Sequence, residues 1–108
     1  MAWQVIHTNK FKRSIRTLVN SVPDYYSINT INKLFIKIEE YTSLLSDNPC
    51  LGQVEPCLED FPYVFRRIVV KPYFKIIYSI TDDFVVFHDV WDTRMNPSIL
   101  KNQLIWNL

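Results

Sequence analysis

Three consecutive runs in the second half of the chain limit what it can fold into. Val64–Lys71 (VFRRIVVK), Tyr73–Ile80 (YFKIIYSI) and Phe84–Trp91 (FVVFHDVW) are dense in β-branched and aromatic residues. Lys71-Pro72 joins the first two, and Thr81-Asp82-Asp83 joins the last two. Connections this short cannot carry a strand back across a sheet, so neighbouring strands must run antiparallel. The expected unit is a three-stranded meander, with Phe74, Ile76, Tyr78 and Ile80 on one apolar face of its middle strand. That face needs a second layer to hide it from water.

The first half supplies the layer. Ala2–His7 alternates Trp3, Val5 and His7 against Ala2, Gln4 and Ile6, and reads as a short strand. Thr8 suits a helix N-cap, and Phe11, Ile15, Leu18 and Val19 then recur at three- and four-residue spacing. Pro23 ends this helix because it has no backbone N–H to donate. Asp24 or Ser27 caps a second helix, with the stripe Ile28, Ile31, Leu34/Phe35, Ile38, Tyr41 and Leu45. Ser46–Pro62 holds three prolines and the chain's one glycine, and reads as a loop of about 15 residues. Pro97–Leu108 reads as a short closing helix using Leu100 and Leu104. The expected order is β-α-α-β-β-β(-α). The class is α+β, an antiparallel sheet packed against an α-hairpin in one domain spanning 1–108.

Composition removes several functions. Apolar residues make up 48% of the 108, enough for one core and too many for a disordered chain. A single glycine, Gly52, excludes phosphate-cradling loops and dinucleotide fingerprints. No apolar run reaches the roughly 20 residues that span a bilayer. The start, MAWQVIHTNKFKR, places charge after its apolar stretch, the reverse of a secretory signal. Cys50 and Cys57 lack the four ligands of a zinc site and read as free thiols in a reducing cytoplasm. We expect no metal and no cofactor.

Net charge is only +1, but it is unevenly spread. Residues 1–37 carry Lys10, Lys12, Arg13, Arg16, Lys33 and Lys37 against Asp24 alone, whereas residues 39–60 carry six acids and no Lys or Arg. Such blocks suit separate basic and acidic faces.

Several of these segments, taken in order, resemble a known family. They are the opening strand with Thr8-x-x-Phe11, Asp47-Asn48-Pro49, Phe65-Arg66-Arg67-Ile68-Val69-Val70, Lys75-Ile76-Ile77-Tyr78 and Val90-Trp91-Asp92-Thr93-Arg94-Met95-Asn96-Pro97. Together they look like the RelE/ParE superfamily, the toxin half of bacterial type II toxin–antitoxin pairs, which includes plasmid stabilisation proteins. The resemblance implies a small cytoplasmic protein that inhibits growth until a cognate antitoxin binds it. Family members act in one of two ways: RelE-like toxins cleave mRNA in the ribosomal A site, and ParE-like toxins act on DNA gyrase. A third reading is a non-toxic relative kept as an interaction partner.

Metal-free RNA cleavage needs a base for the 2′-hydroxyl, cations for the phosphorane and an acid for the leaving oxygen. Arg66 and Arg94 resemble the family's sheet arginines, and are expected to converge on one accessible patch. His88, the one mid-strand histidine, is either their acid–base partner or a hydrogen-bonded core residue. His7 reads as a surface residue, Tyr78 as core, and Glu55 and Glu59 as candidate loop bases. The expected pairing of Arg94 is with Asp92 or Asp89, and of Arg66 and Arg67 with acids of residues 55–60, wherever the arginines are structural. RelE-type nucleases supply paired loop lysines and a tyrosine or histidine after the last strand. Residues 46–64 contain no lysine or arginine here, and no tyrosine or histidine follows Arg94. That tilts the reading toward ParE-like action on gyrase. The antitoxin is expected to dock on the helices through Lys10, Arg13, Arg16, Lys33 and Lys37, which suit an acidic amphipathic segment.

Overall fold

A computed structural model describes residues 2–108. Gln4–His7 forms β1, Asn9–Asn20 α1 and Ile28–Asp47 α2. Gln53–Val54 forms β2, Phe65–Val70 β3, Phe74–Thr81 β4, Phe84–Asp92 β5 and Pro97–Ile105 α3. The five strands lie in the order β1-β5-β4-β3-β2. The meander β3-β4-β5 is antiparallel as expected, and the α+β class holds. Two features refine the expectation. β1 joins the far edge of β5 in parallel, so the sheet is mixed. The segment read as a loop over Ser46–Pro62 begins inside α2, makes two single 3₁₀ turns and contributes β2, which pairs with Arg66 and Arg67.

Local chemistry sets the helix ends. The Thr8 hydroxyl accepts from Phe11 N at 3.1 Å, and the Ser27 hydroxyl, not Asp24, accepts from Thr30 N at 3.1 Å. Asn96 caps α3 by accepting from Ser98 N, with Pro97 at the first helical position, where no N–H is needed. The β4–β5 turn is tight because Asp82 adopts φ 49°, a left-handed conformation that aspartate tolerates.

Each face of the sheet is covered. Phe11, Leu18, Ile31, Leu34, Ile38 and Leu45 from the α1–α2 pair bury Ile68, Val70, Phe74, Ile76, Val85, Phe87 and Val90. On the opposite face, Leu58, Leu100 and Leu104 cover Phe65, Ile77 and Trp91. Ile28, counted in the α2 stripe by spacing, is exposed, because it lies in the first turn beyond the sheet. Alternation along β5 is broken by a bulge. Phe87 pairs with Tyr78 and Asp89 with Ile77, so His88 is the extra residue. Val85, Phe87 and Val90 therefore share the face under α1 and α2, and His88 is separated from Val90.

The segment before β2 is held by Tyr78, which is fully buried in β4. Its hydroxyl accepts from Gly52 N at 2.8 Å and donates to Pro49 O at 2.7 Å. Burial raises the phenol's pKa, and the Gly52 N–H and Arg66 partly offset this. Gly52 is required for a steric reason. A Cβ there would sit 2.5 Å from Arg67 O and 2.7 Å from the Tyr78 ring and hydroxyl. Neither backbone nor a buried ring can yield. Gly52→Ala is expected to cost about 2–3 kcal/mol in urea unfolding, the range of overpacked cores. A loss below about 0.5 kcal/mol, the level of an ordinary surface change, would show that the segment is free to move.

Candidate functional site

The structure does not bring the nominated catalytic residues together. Arg66 lies on the helix-covered face, opposite Tyr78, and its Nη1 donates to Gly52 O at 2.7 Å. Arg94 follows β5 at the other end of the sheet, against Tyr73. Tyr73 and Tyr78 are five residue steps apart along β4, about 16 Å of extended chain. The expectation of one arginine patch is therefore corrected. The reason is that antiparallel pairing sends the start of β3 and the end of β5 to opposite ends of the sheet.

Arg94 is locked in place. Nε and Nη2 reach the two Asp92 oxygens at 3.1 and 2.8 Å, and its backbone N–H donates to Asp92 Oδ1 at 2.9 Å. The guanidinium stacks over Tyr73, 3.6 Å from the ring centre. Asp92 also accepts from the Tyr26 hydroxyl at 2.7 Å. Burial opposes the Asp92 charge, but the hydrogen bonds from Arg94 and Tyr26 outweigh it and hold the carboxyl below its ordinary pKa. Burial, reinforced by Asp92, pushes the Tyr26 phenol up to about 12.

His88 is held neutral. Its Nε2 lies 2.7 Å from Ser79 Oγ, and its ring meets Phe65 edge-on. Burial lowers its pKa to about 4. It lies on the face away from α1 and α2, apart from both arginines. His7, expected at the surface, is partly buried. It stacks on Phe87 and touches Phe11, and burial followed by the nearby Lys12 lowers its pKa.

The basic helix residues also separate. Lys10 reaches inward to Asp89 at 3.2 Å, and Arg13 donates to Asn107 Oδ1 beyond α3. Both line a cavity of about 450 Å³ between α1 and α3 at the β5 edge. Asp89 is buried at its floor, satisfied by Ser14, Val90 N and the Trp91 indole. Lys33 and Lys37 stand across the helix layer, on the flank of α2 facing β3. Arg16 is exposed on α1 and lines neither cavity. These five residues do not form one receptor.

One charged cluster was not assembled from the sequence. Glu55, 2% exposed, ion-pairs with Lys75 Nζ and lies 3.5 Å from Arg67 Nη1. Lys75 also rests over the Trp91 ring, 5.7 Å from its centre. The cluster occupies the sheet face away from α1 and α2. Strand alternation places Arg67 and Lys75 on that face, but only the β2 pairing brings Glu55 to them. The pairing of Arg67 with a 55–60 acid follows the expectation, while Arg66 takes a carbonyl instead. A carboxylate between two partly exposed cations has the parts for proton transfer beside a phosphate.

Cys50 and Cys57 are free thiols. Among the described residues no three His, Cys, Asp or Glu side chains gather as metal ligands, and no helix is long and apolar enough to cross a membrane.

No protein-family model matches the chain, and no curated protein matches it by sequence. Solved structures do. The chain is similar to a mutant of Escherichia coli toxin RelE in the free state, in which two arginines are alanine. The TM-score is 0.63 at 11% identity, covering 100% of this chain and 99% of that one. It is also similar to the conserved hypothetical protein HP0894 of Helicobacter pylori, with TM-score 0.56 at 14% identity over 82% and 91% of the two chains. At these identities the likeness establishes the fold.

The environment of His88 has a measurable consequence. Folding holds the imidazole neutral, so the unfolded chain takes up the proton first as pH falls below 6.5. The stabilisation is complete above 6.5 and is lost progressively down to about 4, a span worth roughly 3 kcal/mol at about 1.4 kcal/mol per pH unit. Urea unfolding at pH 7 and pH 4 should show this loss in the native protein and not in His88→Gln. Equal losses in both would show that His88 is accessible to protons in the fold.

Proposed function

We propose that this protein is the toxin of a type II toxin–antitoxin pair, and that it arrests growth by protein contact with DNA gyrase rather than by cutting mRNA. The observation that carries the choice is the dispersal of Arg66, Arg94 and His88. One arginine is spent on a loop carbonyl, the other on a buried carboxylate, and the histidine is neutral beside a serine. Cleavage through a 2′-hydroxyl needs its base, cations and acid around one phosphate. The antitoxin is the partner that keeps the chain silent, and the exposed Arg16, Lys33 and Lys37 support an acidic segment as its contact. The toxin reading itself rests on the fold together with the sequence resemblance, since a fold alone hosts many functions.

A second reading has its own support. Glu55, Arg67 and Lys75 place a carboxylate and two cations on the sheet face away from α1 and α2, which suits a ribosome-dependent endoribonuclease. Controlled expression in a bacterium separates the two. The first reading expects growth arrest, gyrase-linked DNA breaks and intact mRNA. Cleaved mRNA on translating ribosomes, abolished by Glu55→Gln and Lys75→Ala, would replace it with the second. A folded product with no growth defect would defeat both and leave an interaction-only relative.

A further inference from the structure

The neutral His88 and its serine line a cavity that neither functional reading uses. Ser79 lies opposite Phe65 in the β3–β4 register and so faces away from α1 and α2, as His88 does. The residue is 7% exposed, and its Oγ is 2.7 Å from His88 Nε2. An extra residue at a bulge is a recurrent way of aiming a side chain at a site, and here it turns the imidazole toward the neighbouring strand. Phe65 meets the ring edge-on, with 5.1 Å between centres, and holds its plane.

Beside the pair opens a cavity of about 190 Å³, lined by Tyr63, Phe65, Ser79, Thr81, His88 and Leu108. That is less than the roughly 300 Å³ at which pockets begin to hold drug-sized ligands, so only a small group fits. Phe65 and Leu108 supply apolar wall, and Tyr63 and Thr81 supply hydroxyls. Among the described residues no Lys, Arg, Asp or Glu lines it. A phosphodiester would find no cation there, whereas a small uncharged acyl group finds both apolar surface and donors. Lys75 and its Glu55 partner lie four residue steps away along β4, about 13 Å of extended chain, so the two sites are separate.

We infer that Ser79 and His88 form a nucleophile–base pair that takes a small acyl group from an activated ester or thioester. With the ring proton on Nδ1, Nε2 accepts the Ser79 hydroxyl proton as Oγ attacks the acyl carbonyl carbon. The C–O or C–S bond to the leaving group then breaks, and the leaving atom takes that proton from Nε2. Water next gives a proton to Nε2 and attacks the same carbon. The free acid departs, and Ser79 Oγ recovers the proton. The Tyr63 and Thr81 hydroxyls are the donors on hand for the oxyanion. Burial sets the substrate class. A pKa of about 4 keeps the imidazole unprotonated at pH 7 but makes it a weak base. A weak base needs a good leaving group, which excludes amides and ordinary alkyl esters.

The test treats the intact protein with p-nitrophenyl acetate. It reads nitrophenolate release and, by peptide mass mapping, the position that gains the acetyl group. Acetyl is expected on Ser79. Ser79→Ala removes that adduct, and His88→Gln slows its formation by about 100-fold or more, the lower range of general base catalysis. Ser79→Cys keeps a nucleophile in place and is acetylated there. Circular dichroism establishes that each variant is folded, and the two Ser79 variants decide the matter if His88→Gln is not. Acetyl confined to lysines or to Cys50, with a release rate that Ser79→Ala leaves unchanged, overturns the inference and makes Ser79 the hydrogen-bond partner of a core histidine. An adduct on Ser79 that forms at the native rate in folded His88→Gln overturns it as well.

Discussion

A buried phenol must find hydrogen-bond partners or lose more than its ring gains by burial. Tyr78 meets this demand by taking Gly52 N–H and giving its proton to Pro49 O, across 26 and 29 residues of sequence. The segment between α2 and β3 is thereby tied to the middle of the sheet. β2 can then pair with Arg66 and Arg67, which brings Glu55 to Arg67 and Lys75. Arg66 is drawn to the carbonyl of Gly52 and away from solvent. One hydroxyl and one missing Cβ therefore decide which cations of the sheet are held and which remain to act.

The elements easiest to read were those whose stabilisation is local. Thr8 and Ser27 cap helices by bonding three residues ahead, and the three-residue helical spacing and the strand runs show directly in the sequence. What was hidden depends on contacts far along the chain. β2 is two residues long and has no periodicity of its own. The parallel pairing of β1 with β5 joins residues about 80 apart and leaves no mark on either strand. The bulge at His88 was visible in principle. Val85, Phe87 and Val90 are spaced by two and then three, and a strand keeping one apolar face can do that only by adding a residue. An unbroken alternation would set His88 on one face with Val90; the bulge turns it toward Ser79 instead.

The closing motif shows why the resemblance foretold the fold better than the site. Asp92 holds Arg94 and Tyr26. Thr93 bonds the Tyr73 carbonyl through both its N–H and its hydroxyl. Asn96 caps α3 and Pro97 starts it. Each has structural work that joins the end of β5 to the β3–β4 connection and to the last helix. Such residues mark an architecture whichever target the surface engages. Nothing in the motif requires a phosphate, and the bidentate grip of Asp92 uses the Arg94 fork that a phosphate would need.

Charge behaves differently in sequence and in space. The acidic stretch 39–60 and the basic stretches on either side look like separate faces when read in order. Folding brings them together: Glu55 meets Arg67 and Lys75, Asp60 meets Lys101, and Lys10 reaches Asp89. Cations near the acids are consumed, several of them in partly buried pairs where screening is weak. The surplus that survives is set by topology. Among the described residues Lys33 on α2 and Lys71 after β3 form no ion pair, and neither do Lys12, Arg13 and Arg16 on α1. Net charge near zero therefore does not fix where unpaired cations lie; pairing in the fold does.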